Sequence, residues 1–187
     1  MTGKLFVVSG PSGAGKGTLL AQIVGELEGL RIAVSATTRR PRKGERDGVQ
    51  YYFLSEEKFE ELVVMDGLLE WASVHGARYG TLKAEVLSQL ADGLNVILEI
   101  DPQGAQQIRQ QYPQALLVFI APPSLLDLEA RLVARATESP TQIAGRLETA
   151  RLEMASQGEY DKVIINDDVG EAAAALAAYI RQQQEES

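Results

Sequence analysis

The chain is 187 residues long, 45% apolar and 24% charged, which is the composition of one globular domain with its own core. It has no cysteine and a single histidine, His75, so disulfides and thiolate metal sites are excluded and a histidine-based metal centre is disfavoured. A net charge of −8 argues against a general nucleic-acid partner, and no apolar run approaches the ~18 residues of a membrane span. No basic, apolar leader opens the chain and no obligate protein partner is signalled, so the expected location is cytoplasmic.

The first predicted element is a strand over 5–8, short, apolar and β-branched. It runs into Gly10, Pro11, Ser12, Gly13, Ala14, Gly15, Lys16, Gly17 and Thr18, and then into a helical pattern over 16–27. Strand, glycine-rich turn and helix in this register predict a phosphate-binding loop. Glycines let successive N–H groups turn inward around phosphate oxygens, and the helix start adds partial positive charge. Lys16 is placed to reach the β- and γ-phosphates of a nucleoside triphosphate. The serine or threonine that usually ends this motif is Gly17 here, with Thr18 one residue late. Magnesium keeps several of its waters, so an ordered water can replace a hydroxyl ligand. No direct protein ligand is therefore assigned.

After a strand over 32–34 the pattern breaks, and residues 36–81 read as an inserted lobe of short strands around a helix over 55–65. Its opening run crowds Arg39, Arg40, Arg42, Lys43 and Arg46 into eight residues. Such a run is ordinarily a solvated loop. Arg39 and Arg42, three apart with a proline between, instead suit a phosphate dianion, since each guanidinium can donate paired hydrogen bonds. Tyr51 and Tyr79 could add hydroxyl donors. Further on, Glu70 sits inside the apolar stretch LLEWA, where a carboxylate is costly unless something donates to it. Guanine offers adjacent N1–H and N2–H2 donors and adenine does not, so this residue would discriminate between them. Ser35 and Thr81 are small hydroxyls suited to the O6/N7 edge of the same base. A structural arginine is the other partner open to Glu70.

A helix over 82–91 and a strand over 96–100 follow, the strand ending in Glu99 and Asp101. Acids at the carboxyl end of such a strand lie beside the phosphate loop, where they can order magnesium water or touch an acceptor nucleoside. Next come a helix over 104–111, a strand over 116–120 and a helical pair near 124–157. Ser124 with Asp127, and Ser139-Pro140 with Gln142, mark helix starts. Arg131, Arg135 and Arg146 fall on this pair and predict a cover over the site. A strand over 163–165 and a helix over 171–184 close the chain. The alternation predicts an α/β fold: a parallel five-stranded P-loop core sheet flanked by helices, with an inserted lobe and a helical lid.

GPSGAGKGTLL, SATTRRPRKGERDGVQYYF, EWASVHGARYGT, ILEIDPQGA, FIAPPS and KVIINDD together resemble the motifs of the guanylate kinase family, in that family's order, from Val7 to Asp168. The resemblance implies ATP plus GMP giving ADP plus GDP, with Mg2+, and dGMP as an expected second acceptor. It implies a core of 1–35, 82–123 and 151–187, a GMP-binding lobe of 36–81 and a lid of 124–150. By position, Ser35, Arg39, Arg42, Tyr51, Glu70, Tyr79 and Thr81 would form the GMP site, with Glu99 and Asp101 at its guanine and metal side. Lys16, Arg42, Arg135 and Arg146 would carry catalysis. Arg131, Asn166 and Asp167 would join the phosphate loop at ATP, and Thr18 and Asp101 could hold the metal through water. Three positions depart from the family pattern: Gly17 for serine, Ala136 for glycine and Arg78 for an aromatic residue. Two other readings stay open at this point. The Gly-Lys-Gly-Thr loop also resembles adenylate kinases, and a kinase-like interaction module without catalysis would share the fold.

Overall fold

A computed structural model describes residues 3–74, 76–134 and 139–186. Five strands form a wholly parallel sheet: β1 (Leu5–Ser9), β2 (Leu30–Ile32), β7 (Asn95–Glu99), β8 (Leu116–Ala121) and β9 (Lys162–Ile165), in the order β2-β7-β1-β8-β9. Every residue of β1 is buried, and Leu5 to Val8 are apolar in succession rather than alternating, as expected where helices cover both faces.

The two-residue period sorts the core into two layers. Phe6, Val8, Ile97, Val118 and Ile120 point to one face. There they meet Leu19, Leu20 and Ile23 of α1 (Lys16–Ile23) and Leu176 and Ile180 of α7 (Val169–Glu185). Leu5, Val7, Val96, Leu98 and Leu117 point to the other. They pack on Val86 of α3 (Lys83–Ala91) and on Ala105 and Ile108 of α4 (Pro102–Gln111).

A second sheet stands beside the first. Its strands are β3 (Ser35–Thr37), β4 (Tyr52–Phe53), β5 (Leu68–Val74) and β6 (Ala77–Leu82), ordered β4-β3-β6-β5. Helix α2 (Glu56–Val64), capped by Ser55, seals it through Phe59 against Ala36 and Leu68. Two further helices, α5 (Leu125–Ala134) and α6 (Pro140–Ala155), pack on each other through Leu128, Leu132 and Ala150. Ser139 caps α6 in a reciprocal capping box with Gln142, as its sequence predicts.

Three of the boundaries that differ from expectation do so for identifiable reasons. Helix α1 stops at Ile23, four residues early; Gly25 disfavours a further helical turn, and Leu27 is buried from a turn instead. Strand β2 begins at Leu30, two residues early, because its register is set by pairing with β7, Leu30 opposite Asn95. Helix α4 begins at Pro102, since the Asp101 carboxylate accepts from the Gly104 N–H at 2.8 Å and caps it.

Leu176 is fully buried between α7 and the sheet. Leu176→Ala is expected to cost roughly 2–5 kcal/mol in a denaturant unfolding curve, the range for a leucine deleted from a close-packed core. A loss within error of zero would show that α7 is not part of the cooperative core.

Candidate active site

The carboxyl ends of β1, β7, β8 and β9 converge on one crevice, and the loop after β1 lies within it. Lys16 folds back onto this loop, its Nζ donating to the Gly10 and Pro11 carbonyls at 2.6 and 3.2 Å. Gly15 has φ +93°, and a Cβ there would stand 2.4 Å from the Asn166 amide nitrogen. Glycine is required twice over, by conformation and by contact. Asn166, only 1% exposed, donates from Nδ2 to the Ala14 carbonyl at 2.6 Å. Arg131 donates to the Asn166 carbonyl at 2.7 Å. Both residues brace the loop from below, and Asp167 beside them is exposed. From α6, Arg146 reaches across to the Ser12 hydroxyl at 3.1 Å. Arg135 and Ala136 lie outside the described residues.

Three acids surround this cationic end. Gly17 abuts Glu99: a Cβ at 17 would lie 3.4 Å from Glu99 Oε1. Glu99 is accessible to solvent at the crevice mouth, yet enough protein surrounds its carboxyl that desolvation raises its pKa, with Lys16 pulling the other way. Glu153, half-buried on α6, is pushed up to about 7 by desolvation against the pull of Lys16, with Asp101 adding a like-charge push. Sequence reasoning missed Glu153. Its signal was available: it stands seven residues after Arg146, two helical turns along the same face.

In the second sheet, Ser35 and Thr81 are direct partners across β3 and β6. Thr81 Oγ1 donates to Glu70 Oε1 at 2.7 Å. Glu70 is 4% exposed. It lies where β5 shifts register against β6, between the pairs Leu68–Leu82 and Trp71–Gly80, and this bulge turns three successive residues, Leu68, Leu69 and Glu70, inward. Its other oxygen, Oε2, sits where a Cβ on Gly104 would be 2.5 Å away. Only glycine at the start of α4 admits the carboxylate, a contact that local sequence could not reveal. Burial drives the Glu70 pKa up to about 7, partly offset by the Thr81 hydrogen bond and reinforced by Asp101.

At the far end of the lobe, Arg39 lies over the Tyr51 ring, 5.3 Å from its centroid, and Tyr51 meets Tyr79 edge-on at 6.0 Å. Arg39 pairs with Glu45 through Nη1 at 3.0 Å and Nη2 at 2.9 Å. Arg42 is exposed in the same turn. Arg78, one of the three departures from the family pattern, is held by acids of α2. It bonds Glu56 and Glu60 of α2 and covers the Phe59 ring at 4.9 Å.

A family model described as guanylate kinase matches residues 2–183. The chain is 48% identical over 181 residues to "Guanylate kinase" of Dechloromonas aromatica (strain RCB), spanning 97% of this chain and 90% of that one. Against "Guanylate kinase" of Thermobifida fusca (strain YX) it is 49% identical over 177 residues, spanning 95% and 90%. The crystal structure of guanylate kinase from Anaplasma phagocytophilum is similar with a TM-score of 0.81 at 30% identity, over 98% of this chain and 87% of that one. A phosphate loop at the end of a parallel sheet, facing a second lobe with an arginine cluster and a buried acid, is the layout of a P-loop nucleotide kinase. The chain belongs to the guanylate kinase family.

The Glu70 shift has a consequence for stability. A carboxyl whose folded pKa is above its usual 4.5 binds its proton more tightly in the folded state, so its contribution to stability falls as pH rises from 4.5 through about 7. Glu70→Gln, which does not titrate, should therefore gain on the parent across that window, by up to ~1.4 kcal/mol per pH unit. Thermal unfolding of both proteins at about pH 5 and about pH 8 measures this. The same Tm difference at both would contradict a desolvated Glu70.

Proposed function

We infer that this chain transfers the γ-phosphoryl group of ATP to GMP, giving ADP and GDP, and that its two sheets divide the substrates between them. The buried Glu70 carboxylate carries the reading. It holds one neutral donor, Thr81, inside a protein-lined recess. A carboxylate so placed gains most from a ligand that brings two parallel N–H donors, and the N1–H and N2–H2 edge of guanine does so. Adenine offers no such pair, which disfavours AMP. Ser35, paired with Thr81, faces the O6/N7 edge. Arg39, Arg42, Tyr51 and Tyr79 take the phosphate. These contacts engage base and phosphate and leave the ribose unread, so dGMP is an expected substrate too.

ATP lies on the phosphate loop from Gly10 to Thr18, with Arg131, Asn166 and Asp167 on the adenine side. Magnesium fits this crevice. It asks for one or two carboxylates plus phosphate oxygens and water rather than a protein cage, and among the described residues no three His, Cys, Asp or Glu are grouped as one. Asp101 and Thr18 would hold it through water, with Glu99 beside Gly17, and when bound it would supply charge neutralisation at the β- and γ-phosphates.

The attacking atom is a phosphate oxygen of GMP, already anionic, so no general base is needed. A bond forms from that oxygen to the γ-phosphorus as the bond to the β–γ bridging oxygen breaks, and its electron pair leaves with ADP. Lys16, Arg42, Arg135 and Arg146 hold donor and acceptor in line and offset the charge on the transferring oxygens. Arg146 already reaches the loop at Ser12, which suits a lid that closes over the γ-phosphate and excludes water. Both substrates belong to the soluble nucleotide pool, which keeps the cytoplasm as the expected location; no helix among the described residues is long and apolar enough to cross a membrane.

A coupled assay comparing GMP with AMP tests the assignment. Glu70→Ala should reduce the preference for GMP by roughly 10²-fold or more, and unchanged selectivity would remove Glu70 from base recognition. In the parent, kcat/KM for GMP should fall as pH drops through about 7, because a protonated Glu70 cannot accept both guanine donors. Arg146→Ala should lower kcat by roughly 10²-fold, and an unaltered kcat would take this arginine out of the mechanism.

A further inference from the structure

The turn that carries the two phosphate-binding arginines contains an acid that no functional assignment has so far used. Glu45 Oε1 accepts from Arg39 Nη2 at 2.9 Å, and Oε2 accepts from Arg39 Nη1 at 3.0 Å and from the Arg42 backbone N–H at 2.6 Å. The Glu45 N–H donates in return to the Arg42 carbonyl at 3.1 Å. One side chain therefore ties Arg39 to Arg42 and closes the turn between them. The residue before it, Gly44, has φ +90°, the left-handed conformation that lets the chain double back.

The inventory of Arg39 donors decides what this contact does. A guanidinium has five N–H groups. Nη1 spends both of its own on Glu45 Oε2 and on the Arg40 carbonyl at 2.8 Å, and Nη2 spends one on Glu45 Oε1. The remaining two, on Nε and Nη2, share one edge of the plane. Tyr79 stands close enough to the guanidinium to interact with it. Two parallel donors beside a tyrosine hydroxyl make a fork for phosphate oxygens. Glu45 occupies the neighbouring Nη1–Nη2 edge, so it does not stand where the phosphate would.

We propose that Glu45 is a positioning residue for acceptor binding: it grips one edge of the Arg39 guanidinium so that the other is held, with Tyr79 and Arg42, toward the GMP phosphate. This rests on Arg39 and Arg42 as the phosphate ligands. The proposal has a sign opposite to simple electrostatics. Removing an acid beside an anion site should strengthen anion binding if Glu45 merely opposes or competes with the phosphate. It weakens binding if Glu45 holds the fork in place.

The experiment is steady-state kinetics of Glu45→Gln and Glu45→Asp, alone and combined with Arg39→Ala, with guanosine as a competitive inhibitor lacking the phosphate. Glu45→Gln is expected to raise KM for GMP about tenfold, the scale of one charge-assisted hydrogen bond lost from alignment, with KM for ATP unchanged. Glu45→Asp, which keeps the charge, should recover part of that loss. Guanosine inhibition should be the same in parent and variant, because base recognition at Glu70 is untouched. Combined with Arg39→Ala, Glu45→Gln should add no further loss, since it acts through Arg39. An unchanged or lowered KM for GMP in Glu45→Gln overturns the proposal, as does an equal weakening of guanosine, which would mean that the lobe as a whole had loosened. If Arg39→Ala alone leaves KM for GMP unchanged, the phosphate assignment itself fails and the proposal falls with it.

Discussion

A carboxylate taken out of water with a single hydroxyl to satisfy it is costly, and the structure around Glu70 is arranged to keep one there. Thr81 on β6 supplies that hydroxyl, the β5 bulge turns the side chain inward, and Gly104 withdraws from the space that Oε2 needs. Each of these comes from a different element. Helix α4 belongs to the parallel sheet's cover while β5 and β6 belong to the second sheet, so the acid sits where the two halves of the molecule meet. Gln107 of α4 strengthens that junction by bonding both the N–H and the carbonyl of Trp71, the residue after Glu70. On the proposed assignment, the unmet hydrogen-bonding capacity of one carboxylate becomes selectivity, because only a ligand with the right donors can recover what burial has cost.

The phosphate end is governed by the complementary constraint, too much charge of one sign in too little space. The protein is acidic overall, Glu99 and Glu153 both feel Lys16, and Asp101 acts in turn on Glu153. Parallel strands bring Glu99 and Asp101 to this place, since every strand of the core sheet ends at the same edge, and α6 adds Glu153. Helix α6 contributes both signs at once: it sends Arg146 to Ser12 from its middle and Glu153 toward Lys16 from its last turns.

What could be read in the sequence was whatever is local along the chain. The phosphate loop is nine consecutive residues with fixed backbone roles, and Ser139-Pro140 with Gln142 is a cap that depends on nothing beyond itself. Glu70 was legible because a lone acid in an apolar run contradicts its surroundings. Through-space relations were not. Gly104 lies 34 residues from Glu70, and nothing in its neighbourhood announces that a carboxylate must approach it. Asp101 reads as a functional strand-end acid, and its Oδ1 also proves to be a helix cap. Arg78 reads as a surplus charge until α2 folds Glu56 and Glu60 against it. Helix α1 and strand β2 were misplaced at their shared boundary because packing and pairing with β7, rather than propensity, decide where each begins and ends.

Three arginines show why charge alone is a poor guide to anion sites. Arg39, Arg78 and Arg109 all pair with acids, yet they serve different ends. Arg109, bonded to Asp161 at 2.8 Å, is a surface pair, and Arg78 fastens a helix to a strand over an aromatic ring. Arg39 differs in that its acid partner, Glu45, belongs to its own turn and also binds the Arg42 backbone, while the cation lies over the Tyr51 and Phe53 rings. Side-chain entropy is the main cost of using a long cation to bind a ligand, and here the fold has met that cost in advance by restricting the guanidinium from two sides. If Arg39 binds the acceptor phosphate as proposed, preorganisation of this kind is what separates it from a merely exposed arginine, and it is visible only in the geometry of the groups that hold the cation.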